Sequence, residues 1–243
     1  MGSPFRNLKK GFRRLIRARQ VTVDGILLCT DPAKVSRQVR NGIYKECYEE
    51  PERQLLRGFL QKGDKVLEVG GGVGFVSLVC AKICGPENVL IYEANPGLAP
   101  LIEENFRLNG LRPNLRSKAI TNGAKEVTFF CNDNIVSSSL YDRSGSVART
   151  VPADPLDSVL NEWQPTTLIM DAEGAEVDIL GASKIAGVRK LVLELHPHIV
   201  GEAAIQKLTD HLAAIGFKEH ERVGRRASFL RETVDVHKFG QSA

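Results

Sequence analysis

The sequence contains no apolar run that approaches the roughly 20 residues needed by a membrane-spanning helix. Its N-terminus also lacks the charged, apolar and small residues, in that order, that mark a secretory signal. These two absences predict a cytosolic protein. The composition, with 42% hydrophobic and 26% charged residues in 243, is that of a globular chain long enough for one large core.

Cysteine is also scarce, with five residues in the chain and no CxxC pair. Cys80 and Cys84 are four residues apart, which is the spacing of one helical face and suits a packed core better than metal ligands. The odd count and this spacing predict reduced thiols and no zinc site.

Acidic residues are missing from the first 20 positions, which contain seven basic residues. The rest of the chain has 26 basic residues against 29 acidic ones, so the basic character belongs to the N-terminus. Enzymes that act on nucleic acids more often carry basic residues over their main domain. The charge distribution therefore argues against a nucleic-acid partner.

Residues 1–20 have the pattern of a short basic amphipathic helix. Such a helix can rest on an anionic membrane surface. Alternatively, it packs its apolar stripe on the domain or forms a partly disordered arm, and we favour this second interpretation. The apolar residues that share one helical face are Phe5, Leu8, Phe12, Leu15 and Ile16.

From residue 66 onward, short apolar runs alternate with helical patterns. Strands are predicted over 66–69, 88–93, 168–170 and 190–195, and helices over 75–84, 100–108, 175–180 and 202–215. Shorter β segments are predicted over 117–120 and 126–130, a polar loop over 132–139, and a final hairpin across Gly224. This alternation predicts an α/β fold, in which a parallel sheet has helices on both faces.

A glycine-rich turn, EVGGGVGF, connects the first of these strands to the first helix. Glycines at Gly70, Gly72 and Gly74 allow positive φ angles and let a ligand approach the backbone. A dinucleotide fingerprint, GxGxxG, would require its third glycine at Phe75 or Ser77. The ExGxGxG pattern resembles instead the first motif of class I S-adenosylmethionine-dependent methyltransferases.

A second acidic residue supports this resemblance. Glu93 ends the next strand, 19 residues beyond the last glycine, where a carboxylate can accept both ribose hydroxyls of a nucleoside. An NAD site would also place an acid there, so the glycine spacing decides in favour of S-adenosylmethionine. The predicted cofactor-binding residues are Glu68, Gly70, Gly72, Gly74, Glu93, Asn95 and Asp171.

Further motifs resemble the FkbM family of methyltransferases. They are the DxEGxE segment from Asp171, the ExH segment Glu194-Leu195-His196, and the stretches Leu156-Asp157-Ser158, Ser137-Ser138-Ser139-Leu140 and Asn105-Phe106-Arg107-Leu108-Asn109-Gly110. The family's first motif usually reads D-x-G-A-x-x-G, from which this chain departs at Glu68 and Gly71.

The resemblance implies a Rossmann-like class I fold, with a mostly parallel seven-stranded sheet and an antiparallel C-terminal hairpin. The chain would consist of the basic arm over 1–20 and an FkbM-like domain over 21–243. The implied reaction is methyl transfer to a hydroxyl of a small molecule, such as a sugar, a glycolipid or a polyketide.

An alcohol is a poor nucleophile until it loses its proton, so the site needs a base. His196 is the candidate base, with Glu194 or Asp171 to orient or assist it. Asp171, Glu173 and Glu176 either coordinate a divalent ion or accept hydrogen bonds, and Glu176 alternatively complements a helix dipole. We favour hydrogen bonding by Asp171 and Glu173, without a metal.

Two other classes of protein would show different features. A non-catalytic module that only binds the cofactor would not need His196 beside Glu194 and Asp171, and an NAD-dependent oxidoreductase would respond to NADH. A nucleic-acid methyltransferase would often carry an Asn-Pro-Pro-aromatic or Asp-Pro-Pro-aromatic motif where Asp171-Ala172-Glu173-Gly174 stands.

Overall fold

The computed structural model describes residues 4–131, 138–139 and 147–231. The elements before the glycine turn are α1 (Pro4–Leu15), β1 (Gln20–Val23), β2 (Ile26–Cys29), α2 (Arg37–Tyr44), α3 (Glu50–Phe59) and β3 (Val66–Val69). The next are α4 (Phe75–Cys84), a 3-10 turn (Pro86–Asn88), β4 (Val89–Tyr92), α5 (Ala99–Leu108), β5 (Asn114–Arg116), β6 (Ala119–Thr121), β7 (Glu126–Cys131), β8 (Ser138–Ser139) and β9 (Val147–Pro155). The last are α6 (Leu156–Trp163), β10 (Thr167–Met170), α7 (Glu176–Ala182), β11 (Lys190–Glu194), α8 (Pro197–Val200), α9 (Glu202–Ala214), β12 (Phe217–Val223) and β13 (Arg226–Arg231).

The described residues form a seven-stranded sheet with the strand order β12-β13-β11-β10-β3-β4-β5. The neighbours from β11 to β5 pair in parallel, and β13 pairs antiparallel with both β11 and β12. This arrangement confirms the predicted mostly parallel sheet with an antiparallel C-terminal hairpin. The strand order reverses at β3 and β10, which is where ligands bind in open α/β sheets.

The central strands are apolar on both faces because helices cover both sides of the sheet. Val66 and Ile91 point into a core formed with α3, α4 and α5, whereas Leu67 and Leu90 point into a second core with α6, α7 and α9. Alternation with period two along each strand explains why neighbouring residues join different cores. Both layers are therefore needed to hold the strand ends that carry the site.

A second sheet, with the order β6-β9-β7-β8, lies outside the seven-stranded one. Of the predicted polar loop over 132–139, only β8 belongs to the described residues. Ser137 and Leu140 of the serine-rich motif lie outside them. The structure therefore describes only the two central serines of this motif.

Most predicted elements from residue 66 onward are confirmed to within two residues, and the helix over 75–84 has the predicted bounds. The β1–β2 hairpin, α2, α3, β5, β8, β9, α6 and α8 were not predicted. Helices α2 and α3 bury one face each, so their amphipathic pattern was present in the sequence and was missed.

The cysteine pair is part of the core, as predicted, since Cys80 and Cys84 are buried in α4. Cys29 and Cys47 are also free thiols. None of the helices formed by the described residues combines the length and apolar character required to cross a bilayer.

Helix α1 contacts the domain through its basic side chains. Arg6 donates to Glu50 at 2.7 Å, Lys9 pairs with Glu46 at 2.5 Å, and Arg13 donates to the carbonyl of Tyr44 at 2.7 Å. The apolar stripe is exposed. The expectation that the apolar stripe packs on the domain is therefore wrong: acidic residues of the domain attract the basic face and turn the apolar face outward.

The glycine at position 70 should contribute strongly to the stability of the fold. Its φ is +94°, and an added Cβ would overlap the carbonyl oxygen of Asp171. We expect Gly70→Ala to lower the free energy of unfolding by about 2–5 kcal/mol, from left-handed strain plus overpacking. Urea denaturation measures the loss.

Gly63→Ala is the matched control, because Gly63 has a φ of +90° and no atom within 4 Å of an added Cβ. This variant should lower the free energy of unfolding by about 1–2 kcal/mol, because it adds left-handed strain without a steric overlap. Equal losses for the two variants would show that the contact with Asp171 is not a constraint.

Candidate active site

A cavity of about 450 Å³ opens at the carboxyl ends of the parallel strands. It is bordered by the loops that follow β3, β4, β10 and β11, by the segment between α2 and α3, and by the turn between β12 and β13. Cavities of this size bind ligands as large as a nucleoside cofactor. Its two ends differ in chemistry, since one is partly apolar and the other is dense in carboxylates.

Among the glycines of the turn, Gly72 faces the cavity. Space for a ligand remains beside it, since an added Cβ would be 3.5 Å from Oε1 of Glu49 and 3.8 Å from the hydroxyl of Tyr48. Gly74 instead lies against Ile102, with an added Cβ 3.2 Å from its Cγ2. Gly70 lies against Asp171, so close packing of the backbone, more than a ligand, requires this glycine.

Glu93 closes the partly apolar end of the cavity from the end of β4. Its carboxylate accepts hydrogen bonds from the backbone N–H of Gly72 at 2.8 Å and of Asn95 at 2.7 Å. Burial raises the pKa of Glu93 to about 7, against the opposing effect of these two hydrogen bonds. The side chain thus connects the glycine turn to the next strand, at the position predicted for a ribose-binding acid.

Two other predicted cofactor residues lie behind the cavity wall. Glu68 is buried on β3, accepts a hydrogen bond from Ser77 of α4, and has its pKa raised to about 8 by burial. Asn95 accepts a hydrogen bond from the backbone N–H of Gly97 at 3.0 Å. Neither side chain lines the cavity, and each accepts a hydrogen bond from a residue of a neighbouring turn or helix.

The partly apolar end fits the adenosyl part of S-adenosylmethionine. Beyond Glu93, the wall is made of small or branched apolar side chains, which suit the flat face of a purine. Gly72, which leaves the backbone accessible, and Glu93, which could accept from ribose hydroxyls, stand beside this wall. The apolar residues are Ala94, Ala119, Ile120 and Val127.

The other end of the cavity carries three of the predicted acidic residues, Asp171, Glu173 and Glu194. Asp171 is 46% accessible, but this surface faces the cavity, and burial together with the charges of Glu194 and Glu173 raises its pKa well above the ordinary value. Glu173 has a φ of +51°, a strained conformation for a non-glycine residue. Such strain is often found at functional positions.

His196 lies behind these carboxylates and is 2% exposed. Its Nε2 is 3.6 Å from Asp171, 3.7 Å from Glu194 and 3.9 Å from Glu173. Burial opposes protonation, but Glu176, Glu194 and Glu173 outweigh it and raise the pKa of His196. The four surrounding acids therefore favour the protonated form of this buried imidazole.

Glu176 holds the loop between β10 and α7. Its side chain is fully buried, and its carboxylate accepts hydrogen bonds from the backbone N–H of Ala172 at 2.6 Å and of Gly174 at 2.9 Å. Its Oε1 also lies 3.2 Å from Nδ1 of His196. This agrees with the alternative in which Glu176 complements backbone dipoles.

The acidic end also contains residues that the sequence did not predict. Arg225 and Arg226, in and after the hairpin turn, pair with Glu194 at 2.8 Å and 2.7 Å, and Arg226 also pairs with Glu52. Tyr48 and Glu49 line the wall opposite the glycine turn. None of them belongs to a motif, so only the tertiary fold brings them to the site.

Asp171, Glu173 and His196 each offer an atom within 4.8 Å of the others, as a divalent ion would require. The neutral imidazole is the form of His196 that would bind a metal, and the neighbouring acids favour the protonated form. Hydrogen bonding by Asp171 and Glu173 without a metal stays a prediction.

The family model of the TRM5/TYW2 methyltransferase domain matches residues 24–144, which include the glycine turn and Glu93. The chain is a class I S-adenosylmethionine-dependent methyltransferase. This methyltransferase matches no curated protein.

Several solved structures resemble the methyltransferase in fold. FkbM from Methylobacillus flagellatus KT has 14% identity and a TM-score of 0.47, and the match covers 82% of this chain and 56% of that one. The ribosomal protein L11 methylase from Lactobacillus delbrueckii subsp. bulgaricus has 15% identity and a TM-score of 0.48, with 84% of each chain covered. M. jannaschii TYW2 in complex with AdoMet has 17% identity and a TM-score of 0.47, with 88% of this chain and 86% of that one covered. The FkbM likeness of the motifs stays a resemblance.

Filling the space above Gly72 should block the cofactor. We expect Gly72→Val to abolish binding of S-adenosylhomocysteine, measured by calorimetry, because the side chain would enter the cavity. Gly110→Val is the matched control, since Gly110 also has a positive φ, of +71°, with no atom within 4 Å of an added Cβ. Normal binding by Gly72→Val would remove this turn from the site.

Cofactor affinity should depend on the ionisation of Glu93. With a pKa of about 7, the carboxylate that accepts ribose hydroxyls is mostly protonated at pH 6 and mostly ionised at pH 8. We expect S-adenosylhomocysteine to bind up to about tenfold more tightly at the higher pH. Glu93→Gln should bind weakly at both, and a wild-type affinity that is flat with pH would contradict this role.

Proposed function

We propose that the methyltransferase transfers a methyl group to a hydroxyl of a polar, uncharged acceptor, such as a sugar, a glycolipid or a polyketide. The observation that carries this proposal is the acidic end of the cavity, where Asp171, Glu173 and Glu194 meet. Carboxylates accept hydrogen bonds from hydroxyl groups and repel phosphates.

The cationic residues around the described cavity are already paired. Arg225 and Arg226 are held by Glu194, and Lys118 lies 2.9 Å from Asp154. Binding of nucleic acids depends chiefly on cationic side chains that can neutralise phosphates. This end of the cavity therefore suits a hydroxylated, uncharged acceptor better than a polyanion.

S-adenosylmethionine supplies a methyl group that is already activated on a sulfonium. The protein must align the acceptor and take its proton as the oxygen–carbon bond forms and the carbon–sulfur bond breaks. Of the three carboxylates at the acidic end, Asp171 is the most accessible, and its pKa lies above the ordinary value, which makes it a stronger base. We assign it the acceptor's proton.

His196, the base expected from the sequence, is buried, with its Nε2 3.6 Å from the carboxylate of Asp171. Its raised pKa lets the imidazolium balance the acidic cluster. We assign it a positioning role, in which it keeps Asp171 ionised and oriented.

A second candidate acceptor is a nucleoside of tRNA, the substrate class that the TRM5/TYW2 match suggests. The charge distribution of the sequence and the acidic end of the cavity both argue against it. The family match covers the cofactor half of the site and leaves Asp171, Glu194 and His196 outside.

One experiment distinguishes the two acceptors. The protein is incubated with isotopically methyl-labelled cofactor and, separately, with total tRNA and with polar-metabolite and glycolipid extracts. Label in a base-stable methyl ether of a hydroxylated compound supports the proposal. Label in the intact tRNA fraction that nuclease digestion converts to small fragments supports the second candidate and overturns the first.

The roles of Asp171 and His196 give a further prediction. Asp171→Asn should lower turnover by about 10²–10⁴-fold and weaken cofactor binding, while Asp178→Asn, the same change at an exposed position of α7, should leave both unchanged. Wild-type turnover should rise as pH increases through the raised pKa of Asp171, since only the ionised carboxylate accepts a proton.

His196→Gln removes a nearby cation, so the pKa of Asp171 should rise. The ascending limb of the profile of turnover against pH should then move to higher pH. The pH profile of Asp171→Asn should lack this ascending limb. The opposite pattern, in which His196→Gln loses the limb and Asp171→Asn keeps it, would make His196 the base.

A further inference from the structure

The N-terminal helix α1 presents an apolar stripe to solvent. Leu15 is 82% exposed and Leu8 69%, and Phe5, Phe12 and Ile16 are between 55% and 63% exposed. Among the described residues, these five are the large hydrophobic side chains that lie exposed. Exposed apolar patches of this kind usually mark an interaction surface.

The orientation of the stripe is set by ion pairs. Arg6 and Lys9 reach Glu50 and Glu46, and Arg13 reaches Glu46 at 2.6 Å. Residues three and four apart share a helical face, so these contacts fix the basic face on the domain and direct the stripe away from it. The exposed stripe is therefore a consequence of specific contacts.

Positive charge accompanies the stripe. Lys10, Arg14 and Arg17 have no ion pair with another described residue, and residues 4–20 contain no acidic residue. A surface that meets α1 must therefore be apolar just beneath a negative layer. An anionic phospholipid bilayer has this structure, with acyl chains under charged headgroups.

We propose that α1 docks the methyltransferase on an anionic phospholipid membrane. The five apolar side chains enter the boundary between headgroups and acyl chains, and the three unpaired basic residues contact the headgroups. A second copy of the chain is a poorer occupant, since pairing two such stripes would bring two basic helices together. An RNA would leave the apolar side chains in water.

The docking surface lies one helix away from the cavity. Arg13 of α1 donates to the carbonyl of Tyr44 at the end of α2, and Val39 and Gly42 of α2 line the cavity. Helix α2 thus connects the proposed membrane-docking helix to the cavity wall. The proposal does not depend on the identity of the acceptor.

Cosedimentation of the full chain with vesicles tests the proposal, comparing phosphatidylcholine alone with phosphatidylcholine plus phosphatidylserine. Wild type should bind the mixed vesicles, with weaker binding at high salt. Leu8→Gln/Phe12→Gln should lower the partition coefficient by at least about tenfold, since two apolar side chains leave the bilayer. Their exposure makes these changes compatible with folding, which the melting temperature checks.

Arg14→Gln/Arg17→Gln should weaken binding to the mixed vesicles by about 30-fold, since each of the two basic residues contributes roughly 1 kcal/mol near the surface. The control is Lys62→Gln/Lys184→Gln, which removes the same charge at exposed positions away from α1 and should bind as wild type. Binding that is unchanged in Leu8→Gln/Phe12→Gln would overturn the proposal. So would a wild-type dimer in light scattering that this variant converts to a monomer, or a tRNA gel shift that this variant abolishes.

Discussion

The close approach of two parallel strands is the constraint on which the site depends. β3 and β10 pair in register up to Val69 and Met170, and the next residues, Gly70 and Asp171, then pass so near that no Cβ fits between them. The backbone N–H of Gly70 also donates to the carbonyl of Tyr92 at 2.9 Å, which ties in the third strand. The glycine turn and the carboxylate cluster are therefore two sides of one junction, and neither could move without the other.

That junction concentrates acidic side chains in a place of low polarity, where isolated carboxylates are costly. Burial raises the pKa of Asp171, Glu93 and Glu68, and the protein offsets the remaining charge with His196, Arg225 and Arg226. This arrangement underlies our proposal that the site holds a sulfonium cofactor and takes a proton from the acceptor. Perturbed acids in a cleft are typical of catalytic sites.

Two other acidic residues, one between α2 and α3 and one at the start of α3, bind helix α1 and do not belong to the site. Glu46 and Glu50 bind the basic face of α1 and so expose its apolar face. The segment between α2 and α3 thus has two functions. Its Tyr48 and Glu49 line the cavity, and the adjacent Glu46 and Glu50 hold the helix that we propose docks on a membrane. The family match reopened the question of a nucleic-acid acceptor, and the charges of the cavity remain the physical argument against one.

The sequence alone determined the fold class, the glycine turn and Glu93, because strand and helix periods and a strained turn are local properties that short stretches of sequence specify. It also brought Asp171, Glu173, Glu194 and His196 to one sheet edge, since strand ends in a parallel sheet share an edge. Only the tertiary structure decided that His196 lies behind Asp171, that Arg225 and Arg226 complete the site, and that α1 turns its basic face inward. These outcomes depend on burial and on pairs of charges distant in sequence, and no local pattern encodes them.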